Sequence, residues 1–398
     1  MMLGLLLARA GIDVIVLEKH RDFLRDFRGD TIHPSTLEIM YELGVLEAFL
    51  NLPHDEVREI DAYVEGTRVP FADFTHLPTR CRFLALMPQW NFLDFLAANA
   101  RRHRGFALRM QAEVNDLLVR SGEVHGLIAT TPEGRLEVAA DLVIGADGRR
   151  STVRERAGLS ADEFGAPLDV LWFRLSRGDD ERAATAGYVS DGHILVMLNR
   201  GSYWQCGLVI AKGAFVRLRA AGLPALRERI ARLAPPAAGS AHELTGWDAV
   251  SLLTVQVDRL RQWYQPGLLC IGDAAHAMSP VGGVGINLAI QDAVATSNLL
   301  TPALRSGRPG LAELQRLQRR RELPTRMTQR FQMEIHKRVI ARVLAHAGDG
   351  GTLPWPLRQL QRHPLLRRIP ARLLGVGFRP EHVRATRDDC QPRHNPAL

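Results

Sequence analysis

Cysteine is scarce: four in 398 residues, Cys81, Cys206, Cys270 and Cys390, with no CxxC pair among them. That spacing supports neither a disulfide framework nor a zinc site, and it makes a reducing cytoplasm the default compartment. Cys81, Cys206 and Cys270 sit in or beside apolar stretches, as core residues do. No metal-binding motif is present. Aromatic residues make up only 6% and do not interleave with basic ones, so a formal charge of +8 reads as a solvated basic surface rather than a nucleic-acid platform. The opening run, MMLGLLLARAGIDVIVLEKH, is far shorter than the roughly 20 apolar residues of a membrane span. As an export signal it also fails: no basic residue precedes it, Arg9 interrupts it, and a charged cluster begins at Glu18. Internal repeats and long linkers are missing. A balance of 46% hydrophobic to 24% charged residues is that of a globular protein with a large core.

The opening run has a better reading. Residues 1–10 are rich in the helix formers Leu, Met and Ala, and Gly11 suits the position after a helix end. Residues 13–18 are an apolar, β-rich run closing on an acid, Glu18, as a buried parallel strand would. Helix, glycine turn and strand form the second half of a βαβ dinucleotide unit, with Glu18 placed for ribose hydroxyls. The first half, a strand and a GxGxxG turn about 20 residues before the acid, is not present upstream of Glu18. The expectation is that this half precedes Met1, and that the chain as written holds its cofactor weakly.

Two later motifs narrow the class. In AADLVIGADGRRSTVRERAGL, residues 139–159, a strand leads to the tight turn 145–148 and to a helix that Ser151 can cap. In GLLCIGDAAHAMSPVGGVGINLAIQDAVATSNLL, residues 267–300, a strand ends at Gly272-Asp273, a glycine-rich loop follows, and a long helix begins near Gly285. That helix start offers free N–H groups and a partial positive charge to an electron-rich ring edge or a phosphate.

Taken together, in this order and separation, these motifs resemble the DG and GD motifs of the FAD-dependent aromatic hydroxylases, the para-hydroxybenzoate hydroxylase-like flavoprotein monooxygenases. The resemblance spans nearly the whole chain. LGLLLARAGIDVIVLEK is similar to the family segment after the third glycine of its FAD fingerprint, with Gly4 at the further glycine. FRGDTIHPSTLEIMYELGV is similar to the stretch carrying an arginine near the FAD pyrophosphate, here Arg28. ALMPQWNFLDFLAANA is similar to the segment whose glutamine contacts the cofactor, here Gln89.

The resemblance implies non-covalent FAD, NADPH or NADH as co-substrate without a separate nicotinamide domain, and transfer of oxygen from O2 through a flavin C4a-hydroperoxide. Glu18 takes the adenosine ribose, Arg28 the pyrophosphate, Gln89 the ribityl–phosphate region and Asp273 a ribityl or ribose hydroxyl. Gly283, Gly285, Ile286 and Asn287 carry backbone along the flavin ring, where glycines allow close approach. Pro280 corresponds to a proline beside the reactive flavin carbon. His276, in the same loop, either tunes protonation or simply packs. Asp147 serves FAD and NAD(P)H handling, braces its turn, or does both. Rival readings on the same scaffold are a halogenase, whose tryptophan signature SYWQCG does not supply, and an isoprenoid-chain reductase. An inactive flavoprotein is the rival from another class.

The implied fold class is α/β: a Rossmann-like FAD-binding domain, without its first strand, interleaved with a mixed β-sheet substrate domain and followed by C-terminal helices. Residues 1–60, 81–162 and 261–330 belong to the first, 61–80 and 163–260 to the second, and 331–398 to the helices. On the strand-rich stretch, alternate residues would face a pocket. The substrate candidates are Trp172, Arg174, Met197, Tyr203 and Gln205. No arginine can be placed for a benzoate carboxylate, so a larger hydrophobic phenol, quinone precursor or polyketide is the expected substrate. Residues 353–383 read as short basic amphipathic helices, a packed cap in preference to a membrane-surface contact. A monomer or homodimer is expected.

Overall fold

The computed structural model describes residues 1–24, 31–178, 185–345 and 355–384. Arg28 lies outside the described residues.

The opening run folds as its composition dictates. Helix Met2–Arg9 buries its leucines, Gly11 takes a positive φ of 76°, and strand Val14–Glu18 follows. A Cβ on Gly4 would meet Phe106 and Val16 at 2.9 Å, so glycine sets how closely this helix lies on the strands. Val14–Glu18 pairs in parallel with Phe106–Met110. A second parallel pair joins Val143–Gly145 to Leu268–Cys270, with Tyr264–Gln265 antiparallel beside it. Among the described residues no strand pairs with the other edge of Val14–Glu18 or of Val143–Gly145, and both strands line one cavity.

A seven-stranded sheet runs Ser251–Leu253, Leu168–Ser176, Tyr203–Ala211, His193–Asn199, Ala186–Ser190, Glu59–Val64 and Thr67–Asp73 in spatial order. The period of two divides its faces. Leu171, Phe173, Leu195, Met197 and Trp204 pack under helix Leu223–Leu233. The opposite face turns Val170, Trp172, Gly187, Val196, Gln205 and Val209 toward the cavity. The edge strand Thr67–Asp73 is covered by helices Trp355–Arg362 and Arg368–Gly375, which hides an otherwise open ladder. Helix Gly285–Ser306 and helix Leu311–Ile335 pack together behind the Gly272–Ile286 loop, and a π-helical turn, His336–Ile340, continues the second.

Candidate active site

The cavity encloses about 1800 Å³. Ordinary ligand pockets run to about 300–1,000 Å³, so this one has room for a cofactor and a second molecule. One end is lined by the first turn of helix Met2–Arg9, Glu18, Gln89 and the turn Ala146–Arg150. The lining also includes Asp273, Pro280, Gly282, Gly283, Gly285 and Ile286, and one face of the seven-stranded sheet.

Each motif is braced locally. Asp147 accepts from the Ser151 hydroxyl at 2.5 Å and from the Val153 N–H at 3.1 Å, while the Ser151 hydroxyl accepts from the Arg154 N–H at 2.9 Å. The turn and the helix Thr152–Arg156 are thereby capped by the same two side chains. Arg149, absent from the sequence-based candidates, comes within 3.7 Å of Asp273 and ties the two motifs together at the cavity wall. Arg154 reaches Asp258 at 3.3 Å, and Asp258 accepts from the Ala277 N–H at 3.1 Å. Gly282 and Gly283 adopt φ of 79° and 63°, a conformation side chains resist. A Cβ on Gly282 would meet Leu374 at 2.5 Å. A bare backbone ribbon therefore faces the cavity where helix Gly285–Ser306 begins with no side-chain cap.

The glycine-rich loop is held from behind by buried polar groups. Asp292, fully buried, accepts from the Gly272 N–H at 3.0 Å and meets His276 Nε2 at 2.6 Å and Arg321 Nε at 2.8 Å. Burial pushes its pKa up, but His276 and Arg321 outweigh that and hold the carboxyl below the usual range. Arg321 continues to Glu381 at 3.4 Å. Farther along the same helix, Gln329 donates to the carbonyls of Asp258 and Ala277. Gln332 donates to the carbonyls of Ser279 and Val281 and accepts from the Ser279 N–H, gripping both sides of Pro280. His336 Nε2 lies 2.8 Å from the Ser279 hydroxyl, and burial lowers its pKa.

The structure gathers most predicted residues and separates some. Glu18, Gln89, Asp147, Asp273, Pro280, Gly283, Gly285, Ile286, Trp172 and Gln205 all line the cavity. His276 lies behind the loop, bonded to Asp292 and packed on Trp263 at 4.9 Å. Asn287 turns its side chain to Ser35 and Thr36. Met197 is buried on the opposite sheet face, because it is one residue out of phase with Val196. Arg174 is exposed and stacks on the Tyr203 ring at 3.6 Å, beyond the cavity lining. The buried ladder Gln318, Arg321, Thr325, Gln329, Gln332 and His336 was missed. Its three-to-four residue spacing is visible, but a polar stripe on a helix reads as a solvent-facing side.

The profile of a family described as "FAD binding domain" matches residues 1–330. A 6-methylpretetramide 4-monooxygenase of Streptomyces rimosus is 33% identical over 305 residues, covering 76% of this chain and 73% of that protein. The chain belongs to the FAD-dependent aromatic monooxygenases. Solved structures agree on the fold. The p-nitrophenol 4-monooxygenase PnpA of Pseudomonas putida superposes with a TM-score of 0.71 at 21% identity, over 93% of this chain and 94% of that one. The anhydrotetracycline hydroxylase OxyS of S. rimosus gives 0.72 at 21% identity, over 94% of this monooxygenase and 73% of that chain.

The lining fits FAD at its ribityl and ring end. A cradle of glycines lies beside Asp273, and a Cβ on Gly285 would meet nothing nearer than the Asp273 carboxylate at 3.9 Å. Arg149 and Arg150 also line the cavity, and Arg149 stands beside Asp273. No membrane-crossing helix, long and apolar enough, occurs among the described residues.

Proposed function

We propose that this monooxygenase hydroxylates a large, apolar, electron-rich aromatic compound of the phenol, quinone-precursor or polyketide kind, with NADPH or NADH as reductant. The observation that carries the reading is the continuity of the cavity, from the cofactor-side residues Glu18 and Arg149 to the apolar face of the seven-stranded sheet. When bound, FAD supplies electron transfer from NAD(P)H to O2 and the activation of oxygen.

The protein's part is binding, orientation and exclusion of water. Glu18 would accept from ribose hydroxyls, Gln89 and Asp273 from or to the ribityl chain, and Arg149 and Arg150 would offset phosphate charge. The N–H groups at the start of helix Gly285–Ser306 would stabilise negative charge at the ring edge. On the sheet, Val170, Val189, Val196 and Leu198 give a dry wall for a flat substrate. Asp61 Oδ1 and Trp172 Nε1 are buried without a hydrogen-bond partner among the described residues, and both residues line the cavity. They offer an acceptor and a donor to a substrate hydroxyl and carbonyl.

Aromatic-stimulated NAD(P)H oxidation by the FAD-loaded protein, with one oxygen atom of O2 recovered in the product, is the test. FAD binding without any reaction with NAD(P)H, whatever aromatic compound is added, refutes the reading.

A further inference from the structure

The C-terminal helices have two faces, and the fold uses one. Inward, Ala371 is fully buried, Gly375 is packed so closely on Leu77 and Phe74 that a Cβ would meet them at 2.7 and 3.3 Å, and Leu374 lines the cavity. Outward, Trp355 is 66% exposed, Leu365 66% and Ile369 58%. Arg358 and Arg362 follow Trp355 at spacings of three and seven, and Arg368 and Arg372 follow Leu365 at the same spacings. Within helix Trp355–Arg362 those intervals put both arginines on the face of Trp355, Leu365 stands in the 3₁₀ turn Pro364–Arg367 just before Arg368, and all four arginines are exposed.

The charge on this face is one-sided. Residues 355–375 contain five arginines and no aspartate or glutamate. Among the described residues no ion pair neutralises Arg358, Arg362 or Arg372. Large apolar side chains set among unpaired cations suit an interface that is anionic outside and oily within. Arginine stems can lie along apolar surface while their heads stay with phosphates, and an indole sits at headgroup depth. Three large apolar side chains thus stand exposed along two short helices and the 3₁₀ turn between them, interspersed with arginines.

We propose that this face docks on an anionic phospholipid bilayer, with Trp355, Leu365 and Ile369 dipping into the headgroup boundary and the arginines on lipid phosphates. Capping the sheet edge and meeting lipid are then functions of opposite sides of one element. Because Leu374 of the same helix lines the cavity, docking brings the substrate chamber close to the bilayer, where an apolar aromatic compound would concentrate.

Co-sedimentation of the full chain with vesicles tests this without any cofactor. Binding is expected to vesicles of equal parts phosphatidylglycerol and phosphatidylcholine, and to weaken steeply with added salt. Phosphatidylcholine alone should bind far less. Arg358→Gln and Arg362→Gln should each weaken binding about fivefold, and Trp355→Ser with Ile369→Ser by about tenfold or more. These exposed positions leave the thermal melt unchanged, which separates lost docking from lost folding. No binding to the mixed vesicles, equal binding to phosphatidylcholine, or variants that bind like the parent would overturn the proposal. Capture of an RNA oligonucleotide with the same variant sensitivity, and no lipid binding, would assign the face to nucleic acid instead.

Discussion

Arg321→Met should be among the most damaging single changes outside the cavity wall. The guanidinium is fully buried and lies between two buried carboxylates, 2.8 Å from Asp292 and 3.4 Å from Glu381. Asp292 would keep His276 and the Gly272 N–H, and Glu381 would keep Arg320 at 2.7 Å. Two carboxylates would nevertheless share a dry interior with one cation fewer. Removing one partner of a buried pair costs about 3–5 kcal/mol, against a total stability of about 5–15 kcal/mol. Neutralising the carboxylate as well should recover part of that loss. Asp292→Asn with Arg321→Met is expected to be more stable than the sum of the single variants by about 1–3 kcal/mol. Urea unfolding, followed by tryptophan fluorescence, to which Trp263 beside His276 contributes, measures all four states of the cycle. A single Arg321→Met variant within about 1 kcal/mol of the parent, or strictly additive changes, would refute the view that this network is a coupled brace.

Further expectations are narrower. Gly282→Ala forces a side chain onto a φ of 79° and against Leu374, so it should destabilise by about 1 kcal/mol or more and weaken FAD, read by flavin fluorescence. Val196→Trp fills the sheet-side chamber and should raise the KM for the aromatic substrate with FAD affinity unchanged. Burial and the nearby Asp147 push the Cys270 thiol up to about 12, and burial raises Cys206 further. Neither thiol should react with a disulfide reagent before unfolding. Asp169 and Asp292 are both held below the usual carboxylate range, the first by Lys212 and two backbone N–H groups against the opposing effect of burial. Their stabilisation is complete above a pH of about 4 and is lost as the pH falls through their native values. A urea midpoint that begins to fall below a pH of about 6.5, where the unfolded chain's histidines take up protons that buried His33 and His336 resist, and that falls again through the carboxylate range is the expected profile.

What could be read from residues alone was the part governed by local chemistry. Residues 1–18 announce helix, glycine turn and acid-ended strand because helix propensity, a left-handed glycine and an apolar β run all act over short range. The two glycine-rich turns were legible for the same reason. Sheet phase was not: Met197 and Val196 are both apolar, and only the pairing Met197↔Cys206 and Val196↔Gly207 decides which of them meets the cavity. His276 and Asn287 belong to a loop that faces the cavity, yet their side chains point away to partners 16 and 252 residues distant. Such long-range partners leave no mark in the local pattern. The polar ladder on helix Leu311–Ile335 failed to announce itself because its partners are side chains and backbone groups of segments distant in sequence.

Equilibrium titration of the purified chain with FAD, followed by quenching of flavin fluorescence, measures whether the glycine cradle and Asp273 hold the cofactor. Saturable binding of one FAD per chain is expected, weakened tenfold or more by Asp273→Ala and by Gly283→Val, with Met197→Leu indistinguishable from the parent. No saturable binding, or equal affinity in all four proteins, would contradict it.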